Sequence, residues 1–403
     1  MAKSEIGLIG LATMGANLAR NFADKKIHTL VYNRSTEKTT KLIKEFGNEY
    51  LKGEKTLKSF VAKLEQPRKI FILVKAGEAV DMVIEELLPH LNKNDILIDL
   101  GNSHYKDTMR RQAYLASKKI HLIGCGISGG EQGALRGPSL MPGGDKKAYD
   151  KISKFLDKIA AKDYHKTKCS TYLGPEGSGH FVKMVHNGIE YGIMQLIAET
   201  YDLMRKIGNL SNEEIANTFY SFQKKENLRS YLLEITAKIF TKKEGSKYLI
   251  DLIKDAAQQK GTGKWTTETA LEFGVATPTI NTAVDSRIIS GDTKSRAMTQ
   301  KILIKNPKIL QKIQNKKAFI SQLANALEFA TILTYEQGVG LLKKVNEETH
   351  WNLNLNEIAR IWQGGCIVRS DYLLKLEHSY GKDKNLAQKA DRNILKILAG
   401  QKQ

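Results

Sequence analysis

The chain has 403 residues, 41% of them apolar and 26% charged, with a formal net charge of +20. That length exceeds what one core usually supports, so two domains are expected, and the composition is that of an ordinary soluble protein. Its lysines are spread along the whole chain without a block of like charge, which favours long-range attraction of phosphorylated small molecules over specific nucleic-acid binding.

Cys125, Cys169 and Cys366 lie far apart, with neither CxxC nor Cys/His ligand spacing, which argues against a disulfide framework and against a zinc site. No apolar run is long enough to span a membrane, and the N-terminus enters a strand without a signal peptide's apolar core. A cytoplasmic protein with no membrane partner is expected.

Residues 6–9, IGLI, read as a short strand. They run into Gly10-Leu11-Ala12-Thr13-Met14-Gly15 and then an apolar-periodic helix through Leu18 and Phe22. This is the strand, glycine-rich turn and helix of a dinucleotide fingerprint, with Ala12 in place of the second glycine. Small residues let the backbone approach a pyrophosphate, and the helix N-terminus offers unpaired N–H groups.

The second strand, Thr29 to Tyr32, ends in Asn33-Arg34-Ser35. An acidic residue at this point suits the ribose 2′-hydroxyl of NAD, whereas an arginine among small polar residues suits a 2′-phosphate. NADP is favoured.

Three further strands are expected at Ile70 to Val74, Ile96 to Leu100 and Leu122 to Gly126. They run into the turns Lys75-Ala76-Gly77, Gly101-Asn102-Ser103 and Ile127-Ser128-Gly129-Gly130. In an open parallel sheet such turns gather around the ligand crevice. From residue 177 helical patterns take over, including Met194 to Ile207, Tyr231 to Phe240 and Ala318 to Val345. The expected organisation is therefore an α/β Rossmann-type domain over 1–176 followed by an all-α domain over 177–403.

The segment from Gly177 to Gly192, GSGHFVKMVHNGIEYG, places Lys183, His186, Asn187 and Glu190 on one helical face by their i, i+3, i+4, i+7 spacing. At about 1.5 Å per residue, Lys183 and Glu190 lie roughly 10 Å apart along the axis. Phe181, Val182, Met184, Val185 and Ile189 make the rest of the helix apolar, so the polar stripe is expected to be buried and to need partners or a ligand. Gly188 suggests a close approach to the backbone. Further on, Lys260-Gly261-Thr262-Gly263-Lys264-Trp265 forms a phosphate-compatible loop, and Arg287 sits in a short helical segment.

In this order and spacing, GLATMG, NRS, LVKAG, ISGGEQGALRGPSLMPGG, GHFVKMVHNGIEYG and KGTGKWT resemble the 6-phosphogluconate dehydrogenase family over essentially the whole chain. The resemblance implies NADP contacts at Gly10, Leu11, Ala12, Thr13, Met14, Gly15, Asn33, Arg34, Ser35, Val74, Lys75, Ala76 and Asn102. It implies sugar-acid contacts at Asn102, Ser128, Gly129, Gly130, His186 and Asn187, and substrate-phosphate contacts at Tyr191, Lys260, Thr262 and Arg287. Lys183 matches the family's general base and Glu190 its general acid, and a homodimer is implied.

The implied reaction oxidises C3 of 6-phosphogluconate, releases CO₂ and yields ribulose 5-phosphate, with no metal required. It needs a lysine whose pKa is lowered enough to act as a base and a carboxyl that remains protonated near neutral pH. The family's further helical segment and its tail, which contributes an arginine and a histidine to the partner's site, have no counterpart before Gln403. Smaller departures at Ile193, Phe222, Asp285-Ser286 and Gln363 bear on packing. A non-decarboxylating β-hydroxyacid dehydrogenase, and a shortened nucleotide-binding protein without turnover, stand as alternatives.

Overall fold

The computed structural model describes residues 3–259, 261–303 and 313–381. The chain divides into two units: residues 1–184 with 346–367 form the first, and 185–345 with 368–403 the second.

In the first unit, short apolar runs between turn residues become the strands β1 (Ile6–Ile9), β2 (Thr29–Tyr32), β3 (Leu51–Gly53), β4 (Lys69–Ile72), β5 (Ile96–Asp99), β6 (His121–Ser128) and β7 (Ser139–Gly144). Their order in the sheet is β3-β2-β1-β4-β5-β6-β7; the first six run parallel and β7 pairs antiparallel with β6. Strand direction of growth reverses between β1 and β4, and a ligand crevice is expected beyond the carboxyl ends of those two strands.

The strands are apolar without alternation because both faces are covered. Ile6, Leu8, Phe71, Ile96 and Ile98 pack on one face with Leu18 and Phe22 of α1 (Thr13–Asp24) and Phe155 and Leu156 of α7 (Lys146–Ile159). Ile9, Ile70, Ile72 and Leu97 pack on the other with Phe60 of α3 (Leu57–Ala62), Val80 and Ile84 of α4 (Glu78–Leu87) and Leu115 of α5 (Tyr105–Ser117).

The sequence pattern misses β3 and β7. The run SLMPGG of β7 contains a proline and two glycines, which are tolerated at the border of a sheet. It returns after α6 (Gly130–Arg136) to pair Gly124 with Gly143 and Ser128 with Ser139. Ile127 and Ser128, expected in a turn, therefore complete β6, while Leu73 and Val74 lie beyond the end of β4.

Helix α8 (Ser178–Lys206) is continuous for 29 residues, and its first turns pack on β6 and β7 through glycine. A Cβ at Gly179 would lie 2.3 Å from Met141 O, 2.4 Å from Gly124 O and 2.6 Å from Gly143 N. One at Gly126 would lie 2.3 Å from Lys183 Cβ. Helix and strand backbones thus meet with no side chain between them.

The second unit contains the remainder of α8, α9 (Asn212–Phe222), α10 (Tyr231–Thr241), α11 (Thr262–Glu272), α12 (Pro278–Gly291), α13 (Thr293–Leu303), most of α14 (Lys316–Thr349) and α16 (Tyr372–Ser379). Among the described residues its one strand pair is a short antiparallel hairpin, Lys243–Glu244 with Lys247–Tyr248, which the all-α expectation omits. Glycines of α8 serve helix packing here as well: a Cβ at Gly188 would lie 2.6 Å from Thr266 Cγ2, and one at Gly192 2.5 Å from Thr334 Cγ2. The close approach expected at Gly188 is thus made by a neighbouring helix.

The division differs from a single boundary at residue 176. The first unit continues to Met184, and residues 346–367 return to it. That return is anchored by Trp351, whose ring meets Tyr105 and Phe181 edge-on and whose Nε1 donates to Glu176 at 2.9 Å, by α15 (Leu355–Ile361), and by Arg360, which pairs with Asp163 and Glu357.

Replacing Gly179 with alanine should lower stability by about 2–4 kcal/mol, since the added methyl meets backbone on three sides. Gly340 in α14 has nothing within 4 Å of a Cβ, and its replacement by alanine should be neutral or stabilising by up to about 1 kcal/mol. Urea unfolding midpoints of the two variants check the contrast; equal effects would refute the packing argument.

Candidate active site

At the switch point, Gly10 adopts φ +100°, and a Cβ there would lie 2.3 Å from Leu73 O in the turn beyond β4. A Cβ at Gly15 would lie 1.9 Å from Gly10 O. Both positions therefore require glycine for the loop to bend between β1 and β4. Ala12 is the N-cap of α1 and supplies no side-chain cap, so the helix's first N–H groups are not capped by it. Asn33 shapes this loop: its Oδ1 accepts from Leu11 N at 2.9 Å and its Nδ2 donates to Ser35 O at 3.1 Å. It anchors the turn.

A cavity of about 290 Å³ opens beside the loop, lined among others by Gly10, Asn33, Arg34, Ser35, Lys38 and Lys75. Arg34 and Ser35 are exposed, and the three cations outnumber the cavity's one carboxylate, Glu86. Burial raises the pKa of the Tyr32 phenol on its wall, and Glu86 adds to the effect. A glycine cradle beside a cationic pocket fits a phosphorylated dinucleotide. Lys38 was not singled out from the sequence. Its signal is electrostatic, a lysine in the first turn of α2 (Thr36–Phe46), where the helix dipole ordinarily favours an acid.

The turns beyond β4 and β5 bring Val74, Lys75, Ala76 and Asn102 to the same end of the sheet. Asn102 is exposed, while the turn beneath it is fixed by Asp99, which accepts from Gly101 N at 2.9 Å and from Ser103 Oγ at 2.6 Å. Ser128 ends β6 and is buried; its Oγ accepts from Ile367 N at 3.2 Å. Gly129, at φ +118°, and Gly130, at φ +61°, turn the chain into α6.

On α8, Lys183 is 5% exposed and lies against Gly126. One turn before it, His180 is buried, with Nδ1 2.7 Å from Thr108 Oγ1. Burial holds the His180 pKa below the ordinary imidazole value of 6.5, outweighing the opposing Asp99 carboxylate. Burial also pushes Cys125 and Cys169 up to about 12, so neither is a thiolate nucleophile near neutral pH.

The second unit assembles its own set. His186 is fully buried, with Nδ1 2.9 Å from Asn187 Oδ1 and 3.8 Å from Glu190 Oε2. Asn187 Nδ2 donates to Thr262 Oγ1 at 3.0 Å. The Arg287 guanidinium lies 3.7 Å over the Tyr191 ring, and a Cβ at Gly263 would lie 2.5 Å from that ring. Of the expected residues, His186, Asn187, Glu190 and Thr262 are thus linked by their side chains, and Tyr191 and Arg287 form a second pair beside Gly263. Lys260 lies outside the described residues. Phe181, Val182, Met184, Val185 and Ile189 are all at most 1% exposed, and of the polar stripe expected to be buried Lys183, His186 and Asn187 are, while the Glu190 side chain is 21% exposed. Among the described residues no helix is long and apolar enough to cross a membrane.

A parallel sheet with a glycine turn at its switch point, joined through a long helix to a helical unit, defines a dinucleotide-binding dehydrogenase architecture. 3-Hydroxyisobutyrate dehydrogenase from Salmonella typhimurium shares this fold at TM-score 0.56 and 16% identity, covering 73% of this chain and 95% of its own. Residues 5–174 match the model of the NAD binding domain of 6-phosphogluconate dehydrogenase, and residues 179–401 match that of the 6-phosphogluconate dehydrogenase C-terminal domain.

The NADP(+)-dependent, decarboxylating 6-phosphogluconate dehydrogenase of Bacillus subtilis is 47% identical over 388 residues, 96% of this chain and 82% of that protein. The 6-phosphogluconate dehydrogenase of Plasmodium falciparum, described in apo form and in complexes with NADP+ and with 6-phosphogluconate, superposes with TM-score 0.88 at 40% identity, covering 99% of this chain and 89% of its own. The chain belongs to the 6-phosphogluconate dehydrogenase family.

Because the unfolded chain protonates His180 near 6.5 and the folded chain only at lower pH, the unfolded state binds more protons in the window below 6.5, and stability falls as pH drops through it. His180→Gln should flatten the dependence of the unfolding free energy between about pH 5 and 7 by up to about 1.4 kcal/mol per pH unit. Parallel slopes in denaturant titrations of the two proteins would refute the assignment.

Proposed function

We propose that this chain catalyses the NADP-dependent oxidative decarboxylation of 6-phospho-D-gluconate to D-ribulose 5-phosphate and CO₂. The observation that carries the reading is the polar stripe of α8, with buried Lys183 against the glycine end of β6 and His186, Asn187 and Glu190 following on the same helical face. Family membership supports it.

Gly10 to Gly15, Arg34, Ser35, Lys38, Val74, Lys75, Ala76 and Asn102 would hold NADP. When bound, NADP accepts the hydride that leaves C3. Lys183, buried against Gly126, takes the proton from the C3 hydroxyl. The protonated Lys183 then gives its proton to the ketone oxygen as CO₂ leaves, and Glu190 donates a proton to C1 of the enediol while Lys183 takes back the enediol hydroxyl proton. Asn102, Ser128, Gly129, Gly130, His186 and Asn187 orient the sugar acid. Tyr191, Lys260, Thr262 and Arg287 hold its phosphate, with Arg287 prepositioned by its stacking on Tyr191.

The same reading includes a homodimer. Ile288, Ile289, Met298 and Ile302 expose apolar surface on α12 and α13 that a second copy would cover. Light scattering of the purified protein tests it, and a monomeric mass at micromolar concentration would refute it.

Steady-state assays with NADP and 6-phosphogluconate should show turnover coupled to CO₂ release, abolished by Lys183→Ala. Turnover without CO₂ would favour a non-decarboxylating dehydrogenase, and NADP binding without turnover a nucleotide-binding protein. Arg34→Ala should raise the KM for NADP by about one to two decades, the worth of a charge-assisted contact of roughly 1.5–3 kcal/mol, and leave NAD kinetics nearly unchanged. Equal losses for both nucleotides would refute its role at the 2′-phosphate.

A further inference from the structure

Arg111, on α5, is a buried arginine outside the residues assigned so far, at 1% exposure. Its Nε and Nη2 donate to the two carboxylate oxygens of Asp81, each at 2.8 Å. Nη2 also donates to Gly77 O at 3.0 Å, and Nη1 makes a long bond of 3.4 Å to Ser103 Oγ and lies 3.9 Å from Asp99 Oδ2.

Gly77 closes the turn that carries Val74, Lys75 and Ala76, and it caps α4 at φ +91°. Ser103 closes the turn that carries Asn102, and its hydroxyl donates to Asp99. One planar guanidinium therefore reaches both turns while a bidentate carboxylate holds it in plane. A lysine, with a single nitrogen, cannot keep all three directions.

We propose that Arg111 is a positioning residue for the cofactor: by binding Gly77 O and Ser103 together, it sets the spacing of the two turns that receive the dinucleotide. The inference rests on the NADP reading above. Arg111 does not touch the cofactor. A mispositioned turn weakens every contact that the turn makes.

The test measures equilibrium binding of NADP and of 6-phosphogluconate by calorimetry, with thermal midpoints, for the natural chain and for Arg111→Lys, Ser103→Ala and Arg110→Lys. Arg110 shares Asp81 with Arg111 but has no bond to either turn among those described, so it serves as the control. Arg111→Lys should weaken NADP tenfold or more while 6-phosphogluconate changes less than threefold. Ser103→Ala, which keeps the Arg111–Asp81 pair, should weaken NADP threefold or more with 6-phosphogluconate affinity unchanged, and it carries the test if Arg111→Lys does not fold. Unchanged NADP affinity, or equal losses for both ligands with a lowered midpoint, would overturn the proposal. Failure of the natural chain to bind NADP would instead overturn the functional reading on which it stands.

Discussion

The structure depends on the contact between the first turns of α8 and the backbones of β6 and β7. Gly179 lies against Met141 O, Gly124 O and Gly143 N at separations that no side chain permits. Helix and strand axes usually stand apart by the thickness of their side chains, and removing those side chains brings the helix down onto the sheet itself. Gly126, on the next inward position of β6, is met by the stem of Lys183. The lysine is therefore fixed by backbone packing, not by a flexible loop. The cost is four glycines, each with its own conformational entropy.

Polar groups in the first unit are arranged as positioning networks around that contact. Asp99 holds the turn beneath Asn102, Arg111 ties it to the turn that ends at Gly77, and His180 meets Thr108 from the helix side. Buried ion pairs contribute little net stability once desolvation is counted, so their value lies in geometry. Asn33 follows the same logic, since both ends of its amide are engaged within the nucleotide loop. The groups available to a phosphate are the exposed Arg34 and Ser35 and the cavity's lysines. In the second unit the pattern recurs on a smaller scale, with Asn187 joined to Thr262 and Arg287 laid over Tyr191.

The spread of positive charge along the chain acquires a local meaning in this setting. Most of the described lysines and arginines are at least partly exposed, and a few of them are distinguished by position: Arg34, Lys38 and Lys75 converge on one cavity. A basic surface raises the local concentration of phosphorylated ligands, and on the NADP reading proposed above the converging cations are the groups that would hold them.

Much of this was legible in the sequence. The run IGLI followed by GLATMG specified a strand, a turn and a helix because both faces of a parallel strand are apolar and because small residues admit a tight turn. The helical period alone put Lys183, His186, Asn187 and Glu190 on one face. Local pattern failed where pairing partners are distant. SLMPGG became a strand only because β6 offered it a ladder, and residues 346–367 joined the first unit through Trp351 and Arg360, whose partners are remote in sequence. Arg111 and His180 carried no short-range signal of a role. The sequence by itself determined the elements and the chemical inventory, since these follow from period, turn chemistry and residue type. The tertiary structure alone decided which glycines meet backbone, which cations face a cavity and which turns one guanidinium joins, because such contacts are set by chain segments that packing, not sequence distance, brings together.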